Sequence, residues 1–343
     1  MPKRPSSSSA VHPLPDDPLR TLLEAEVALA RAKAALGRIP RVAAEAIARI
    51  AEPERYDFPA LREAAFEHAT IVVPLVEAIR AQLPAELHGA VHQPATSQDI
   101  IDTALMLQAA RTLDEILPAL ERCADALNAL RTDYGDAPHL ARTLLQPALP
   151  TTFGRLLSAW QSGLDDARAR LVSVRGTGLA AQLAGPIAEL DDPELVSAFA
   201  AELGLAAPQR PWHTNRSRVV DLAAALGLTV GALGKIAADV ILLSQAEIGE
   251  LAEGGAGRSS SMPDKRNPAR GVQIAALAQR TPGLVATVFA ALPQELHRAA
   301  GRWQAEDAVV RELLTATREA AEHAAVLLSG LRVDAHRMKT NLR

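Results

Sequence analysis

Ser259, Ser260, Ser261 and Lys265 stand close together in the stretch Gly257-Arg258-Ser259-Ser260-Ser261-Met262-Pro263-Asp264-Lys265-Arg266-Asn267-Pro268. A hydroxyl beside an ammonium group is a pair able to move a proton, because the cation favours the ionised form of the oxygen. Gly254, Gly255 and Gly257 permit backbone angles that other residues avoid. Asn267 is suited to cap, and Pro268 to open, the apolar helix that follows. The same composition also suits an ordinary interhelical turn with serines as polar filler and a solvated lysine.

Two distant stretches carry further hydroxyls next to carboxylate or amide groups. One is His92-Gln93-Pro94-Ala95-Thr96-Ser97-Gln98-Asp99-Ile100-Ile101-Asp102-Thr103, and the other is Arg142-Thr143-Leu144-Leu145-Gln146-Pro147-Ala148-Leu149-Pro150-Thr151-Thr152-Phe153-Gly154. Taken alone, Thr96-Ser97 reads as a helix N-cap with Asp99 in the first turn, and Thr143 as a turn residue ahead of Pro147. The order Ser-Ser-x-Met-Pro-x-Lys-x-Asn-Pro over Ser259 to Pro268, however, resembles the signature loop of the fumarase/aspartase superfamily. The two other stretches resemble that superfamily's first and second blocks.

The resemblance implies an all-α fold with a long central helix bundle and a smaller helical N-terminal domain. It also implies a homotetramer in which each site is assembled from three blocks on different subunits. Ser259 would be the proton-transfer residue, with Lys265 beside it. Thr96, Ser97, Thr143, Gln146, Met262 and Asn267 would bind and orient a small polycarboxylate. No cofactor and no metal are implied.

Within the superfamily the chain is most similar to the 3-carboxy-cis,cis-muconate cycloisomerase branch, which serves protocatechuate (β-ketoadipate) catabolism. The segments carrying this likeness are Ala95 to Thr103, Pro211-Trp212-His213-Thr214-Asn215-Arg216-Ser217-Arg218 and Arg298-Ala299-Ala300-Gly301-Arg302-Trp303-Gln304-Ala305-Glu306. The tricarboxylate substrate of that branch makes Arg216 and Arg218 expected contacts. Where many superfamily lyases carry Thr-His, this chain has Thr143-Leu144. In lactonisation run backwards the leaving group is a carboxylate with a pKa of about 4, which needs no proton to depart, so a lactonising enzyme tolerates the loss. Pro94 replaces a usual glycine and His297 a frequent glutamate. A cycloisomerase of a sulfonated muconate, an adenylosuccinate-type lyase and a non-catalytic helical scaffold are the alternatives, and Leu144 opposes the second.

The elements that must position these groups read as helices. Alanine and leucine recur at helical spacing and β-branched alternation is scarce, so no strand is expected to contribute a sheet. Long helices are expected over 100–130, 152–184, a stripe from Leu233 to Leu251, 271–292 and 307–331. A single helical stretch, kinked or restarted at Pro74, is expected over 60–83. The expected domains are a disordered tail over 1–18, an N-terminal helical domain over 19–99 and the bundle over 100–343. The chain stops about where relatives would begin a third helical domain.

With 343 residues, 48% hydrophobic and 22% charged, and a net charge of −4, the chain has core material and no basic bias toward nucleic acid. The single cysteine, Cys123, excludes an intrachain disulfide framework. No uninterrupted apolar run of the ~20 residues that span a bilayer is evident, so a cytoplasmic enzyme without membrane partners is expected.

Overall fold

The computed structural model describes residues 18–342 except 256, 259, 260, 263 and 264. The tail expected over 1–18 therefore lies outside the described residues, apart from Pro18. The helices are α1 (Pro18–Ala35), α2 (Arg41–Ile50), α3 (Phe58–His68), α4 (Val72–Ala81), α5 (Ser97–Tyr134), α6 (Phe153–Ser173), α7 (Pro193–Glu202), α8 (Ser217–Leu243), α9 (Ala269–Ala291), α10 (Arg302–Ser329) and α11 (Ala335–Thr340). The all-α class is as expected, but the expectation of no strand pairing is corrected. Strands β1 (Pro138–Thr143), β2 (Gln146–Thr152), β3 (Leu251–Glu253), β4 (Gly257–Arg258), β5 (Arg266–Asn267) and β6 (Leu331–Val333) form three antiparallel two-stranded ladders, β1-β2, β3-β6 and β4-β5. In β2 the prolines at 147 and 150 oppose helix, and Thr151 and Thr152 favour extended backbone.

The chain divides into two compact units. The first holds the residues up to Gln108 together with Ala181–Ala207. In it Asp57 caps α3 by accepting from the Ala60 amide at 3.1 Å. Ala69, at φ 52°, ends that helix, and Pro74 sits in the first turn of α4. The stretch over 60–83 is thus two helices, restarted just ahead of Pro74. Asp192 caps α7 through the Leu195 amide at 3.1 Å and pairs with Arg38.

The second unit holds Ala109–Ala180 and Pro208–Arg343. The 38 residues of α5 begin in the first unit and run on into this one, a length of about 57 Å at 1.5 Å per residue. In α6 the buried residues are Phe153, Leu157, Trp160, Leu164, Ala167 and Leu171, an alternating spacing of three and four that marks one seam. Helix α8 packs against α6, α9 and α10. Its approach to α9 depends on glycine, since a Cβ on Gly234 would stand 2.5 Å from Ala278 Cβ.

The stripe expected to continue to Leu251 ends at Leu243, and that expectation is corrected. The chain turns through Ser244 and Gly249, the latter at φ 61°, so Ile248 lies in the turn and Leu251 in β3. A second correction concerns apolar length: α8 and α9 are each long and apolar enough to cross a membrane. Half of the apolar stretch of α8 is buried within the chain, which is how a core helix of a bundle also reads, but only 22% of that of α9.

Candidate active site

The first block is braced before it reaches its hydroxyls. Lys33, buried on α1, donates from Nζ to the carbonyls of Ala90 at 2.9 Å and Gln93 at 2.5 Å. Burial lowers its pKa, against the opposing pull of Glu26. His92, at φ 71°, brings Nδ1 within 2.7 Å of Glu26 Oε1, and the Gln93–Pro94 peptide is cis. Asp99 is fully buried; its carboxylate accepts from the amides of Thr96 at 3.0 Å and of Ala184 and Gly185 at 3.1 Å. Asp99 thereby fixes the start of α5 against residues 184–185, and Thr96 and Ser97 sit half-buried at the N-terminus of a long helix, where the dipole favours an anion.

The second block is the β1-β2 hairpin. Thr143 faces Gln146 across a two-residue turn made by Leu144 and Leu145, both left-handed at φ 50° and 60°. This is the torsion pattern that right-twisted hairpins require, ordinarily supplied by Asn-Gly. Thr143 and Gln146 are exposed, as are Leu144 at 96% and Leu145 at 68%. At the hairpin's base Arg142 forks onto Glu250, Nη2 to Oε1 at 2.6 Å and Nη1 to Oε2 at 3.2 Å. Glu250 has no exposed surface, and it also accepts from Asn341 Nδ2 at 2.7 Å. Burial pushes its carboxyl pKa up, but the nearby His139 and the bonds from Arg142 and Asn341 together hold it down at about 2.

The third block is the loop between β4 and β5. Gly257 faces Asn267 and Arg258 faces Arg266. Lys265 is exposed and donates its amide to the Met262 carbonyl at 3.2 Å; Met262 is half exposed and Asn267 half-buried. Ser259, expected to move the proton, lies outside the described residues. Glu253 clips the two stems of the loop, its carboxylate accepting from the amides of Arg270 at 3.1 Å and Gly271 at 2.8 Å.

Arg216 is placed away from solvent. Only 1% exposed, it donates from Nε at 2.9 Å and Nη2 at 2.6 Å to Glu306 Oε2, and Gln294 Nε2 donates to Oε1 of the same glutamate at 2.8 Å. Its guanidinium lies 5.0 Å from the Trp212 ring centre. Arg218, half-buried, stands 5.3 Å from the same ring centre and donates to the Gly178 carbonyl at 2.7 Å. Burial lowers its pKa, with Asp221 opposing. His297 is exposed.

Thr96 and Ser97 belong to the first unit, and the other described candidates belong to the second. Glu250 and Glu253 escaped the sequence reading. The available signal was two carboxylates three residues apart, immediately ahead of the glycine-flanked loop. Among the described residues no group of three or more His, Cys, Asp or Glu side chains is arranged to hold a metal.

The chain as a whole is similar to several known proteins. The family described as Lyase matches residues 14–283. The chain is 43% identical to the 3-carboxy-cis,cis-muconate cycloisomerase of Pseudomonas aeruginosa, over 94% of this chain and 73% of that one. It is 41% identical to the nitrosuccinate lyase of Streptomyces davaonensis, over 94% and 72%. The crystal structure of the 3-carboxy-cis,cis-muconate lactonizing enzyme from Pseudomonas putida superposes with a TM-score of 0.88 at 38% identity, covering 94% of this chain and 74% of that one.

Proposed function

Because the chain belongs to the fumarase/aspartase superfamily of lyases, we propose that it is a cycloisomerase converting 3-carboxy-cis,cis-muconate to 4-carboxymuconolactone. The likeness to the Pseudomonas aeruginosa cycloisomerase carries this reading. One substrate carboxylate oxygen adds to a double bond, forming the ring C–O bond, and the neighbouring carbon takes a proton. The carboxylate beside that carbon passes through an aci form whose extra charge needs preorganised donors and cations. Lys265 and loop amides supply them. Ser259 delivers the proton and is reprotonated from solvent, so a trianion becomes a dianion with one proton taken up per turnover.

Thr96 and Ser97 hold one carboxylate at the N-terminus of α5, while Thr143, Gln146, Met262 and Asn267 orient the rest. Of the two arginines, Arg218 is the direct contact, and Arg216, committed to Glu306, steadies Trp212 beneath it. Sites are completed between copies in a cytoplasmic homotetramer. The exposed apolar side chains of α8 and α9, among them Leu228, Val272 and Phe289, support burial against other subunits.

The likeness to a nitrosuccinate lyase favours one second reading, elimination of nitrite. Nitrite is also a weakly basic leaving group, so Leu144 suits either chemistry. Purified protein supplied separately with 3-carboxymuconate and nitrosuccinate separates them. Loss of diene absorbance with proton uptake supports the cycloisomerase, and nitrite release without lactone formation would replace it.

A further inference from the structure

We propose that Glu250 is a positioning residue that holds the substrate-binding hairpin in register with the strand leading into the lysine loop. The inference rests on the reading above insofar as Thr143 and Gln146 contact substrate. Glu250 stands directly ahead of β3, and its carboxylate is reached from two separate elements. Arg142 comes from β1, with His139 Nδ1 of the same strand 3.2 Å from Oε2. Asn341 comes from the end of α11. The main chain of Glu250 is equally committed, its amide donating to the Leu243 carbonyl at 2.9 Å and its carbonyl accepting from the Asp334 amide at 3.0 Å.

The ground beneath it is fixed as well. Arg337 donates to the carbonyls of Ile248 at 3.0 Å and Glu247 at 2.9 Å, Asn341 donates to Ile248 at 3.0 Å, and β3 pairs with β6. Three residues further, Glu253 clasps the start of α9. Glu250 is therefore tied down on every side, and what it anchors is the residue next to Thr143.

Successive side chains on a strand point to opposite sides, and a one-residue slip reverses them all. The β1-β2 ladder already carries an irregularity between Leu140 and Arg142, where register is easily lost. Arg142 Nη1 spans it, donating to the Leu140 carbonyl at 3.2 Å as well as to Glu250. With Arg142 drawn to the anchor, Thr143 and its partner Gln146 have one available presentation. A buried ion pair is often replaceable by apolar packing without loss of stability. What this forked pair supplies is placement.

The test compares Glu250→Gln, Arg142→Lys and Asn341→Ala with wild type in the full chain. Arg142→Lys keeps the charge and loses the fork. Positioning requires KM for 3-carboxymuconate to rise roughly tenfold or more in Glu250→Gln and Arg142→Lys, with a smaller fall in kcat. Amide exchange over 138–152 should accelerate while exchange over 153–173 stays as in wild type. Asn341→Ala, which spares the fork, should show a milder version of both effects. If Glu250→Gln does not fold, Arg142→Lys decides alone. A folded Arg142→Lys protein with wild-type KM and wild-type hairpin exchange overturns the proposal, as does a fall in melting temperature with KM unmoved. The exchange measurement uses no substrate, so a wild-type protein inactive on 3-carboxymuconate would defeat the functional reading while leaving this one decidable.

Discussion

The proposed proton transfer by Ser259 makes a sharp demand on a single atom. Ser259→Ala should lose roughly 100-fold or more in kcat with KM little changed, because general acid–base help acts in the transition state. Steady-state kinetics with near-wild-type kcat would remove Ser259 from the mechanism. A second demand concerns Leu144, which stands where the superfamily resemblance implies histidine. Leu144→His should leave lactonisation unaccelerated, since the carboxylate that adds, and that departs only in the reverse direction, asks for no proton. A tenfold gain, about 1.4 kcal/mol of transition-state stabilisation, would show that the leaving-group argument is wrong. The groups behind these predictions were legible because each block is a local string with a fixed order. The Glu250 cluster was not, because it joins residue 250 to 139, 142 and 341 and no local pattern encodes such a meeting. Arg216 looked like an anion contact for the same reason, as nothing near it in the chain announces Glu306.

The long helices were legible from periodicity, and their ends were not. The apolar stripe of α8 continues past the helix because Ile248 and Leu251 keep the spacing while Gly249 turns the backbone. The hairpin was invisible as strand because its leucines and prolines carry no alternation. Helix contact at glycine gives a test of its own. Gly234→Ala raises intrinsic helix propensity by about 1 kcal/mol, yet the new methyl meets Ala278 at 2.5 Å. Overpacking typically costs about 1–3 kcal/mol, so thermal unfolding should show a lower melting temperature, and a rise would mean that α8 and α9 separate freely. Acid stability belongs to this scale too. Glu250 has its carboxyl pKa held at about 2 against an ordinary 4.5. A depressed carboxyl contributes stability in full above the ordinary value and loses it as pH falls toward 2. Urea denaturation should therefore find the deficit of Glu250→Gln constant above pH 4.5 and shrinking below it. A deficit independent of pH down to 2 would contradict the assignment.

At the scale of the whole molecule, assembly and activity are one question. If blocks from different copies complete each site, Ser259→Ala protein unfolded and refolded together with a Thr143→Ala, Gln146→Ala protein should regain part of the lost activity. Light scattering that finds an active monomer would dispose of shared sites. The all-α class was legible from composition, because alanine- and leucine-rich spacing leaves few other outcomes. The way residues 181–207 join the first unit was not, since that return is made by Asp99 and Thr103 reaching amides and carbonyls some eighty residues away.

The turn at Leu144 and Leu145 has a consequence for how such a protein changes over evolutionary time. Left-handed torsion at a non-glycine residue costs roughly 1–2 kcal/mol, and here the cross-strand ladder, not residue identity, sets those angles. With 96% of its surface exposed, Leu144 has little packing to lose within its own chain. Mutation at that position is close to neutral for folding. A lineage can therefore try histidine, leucine or another side chain there without first rebuilding its scaffold.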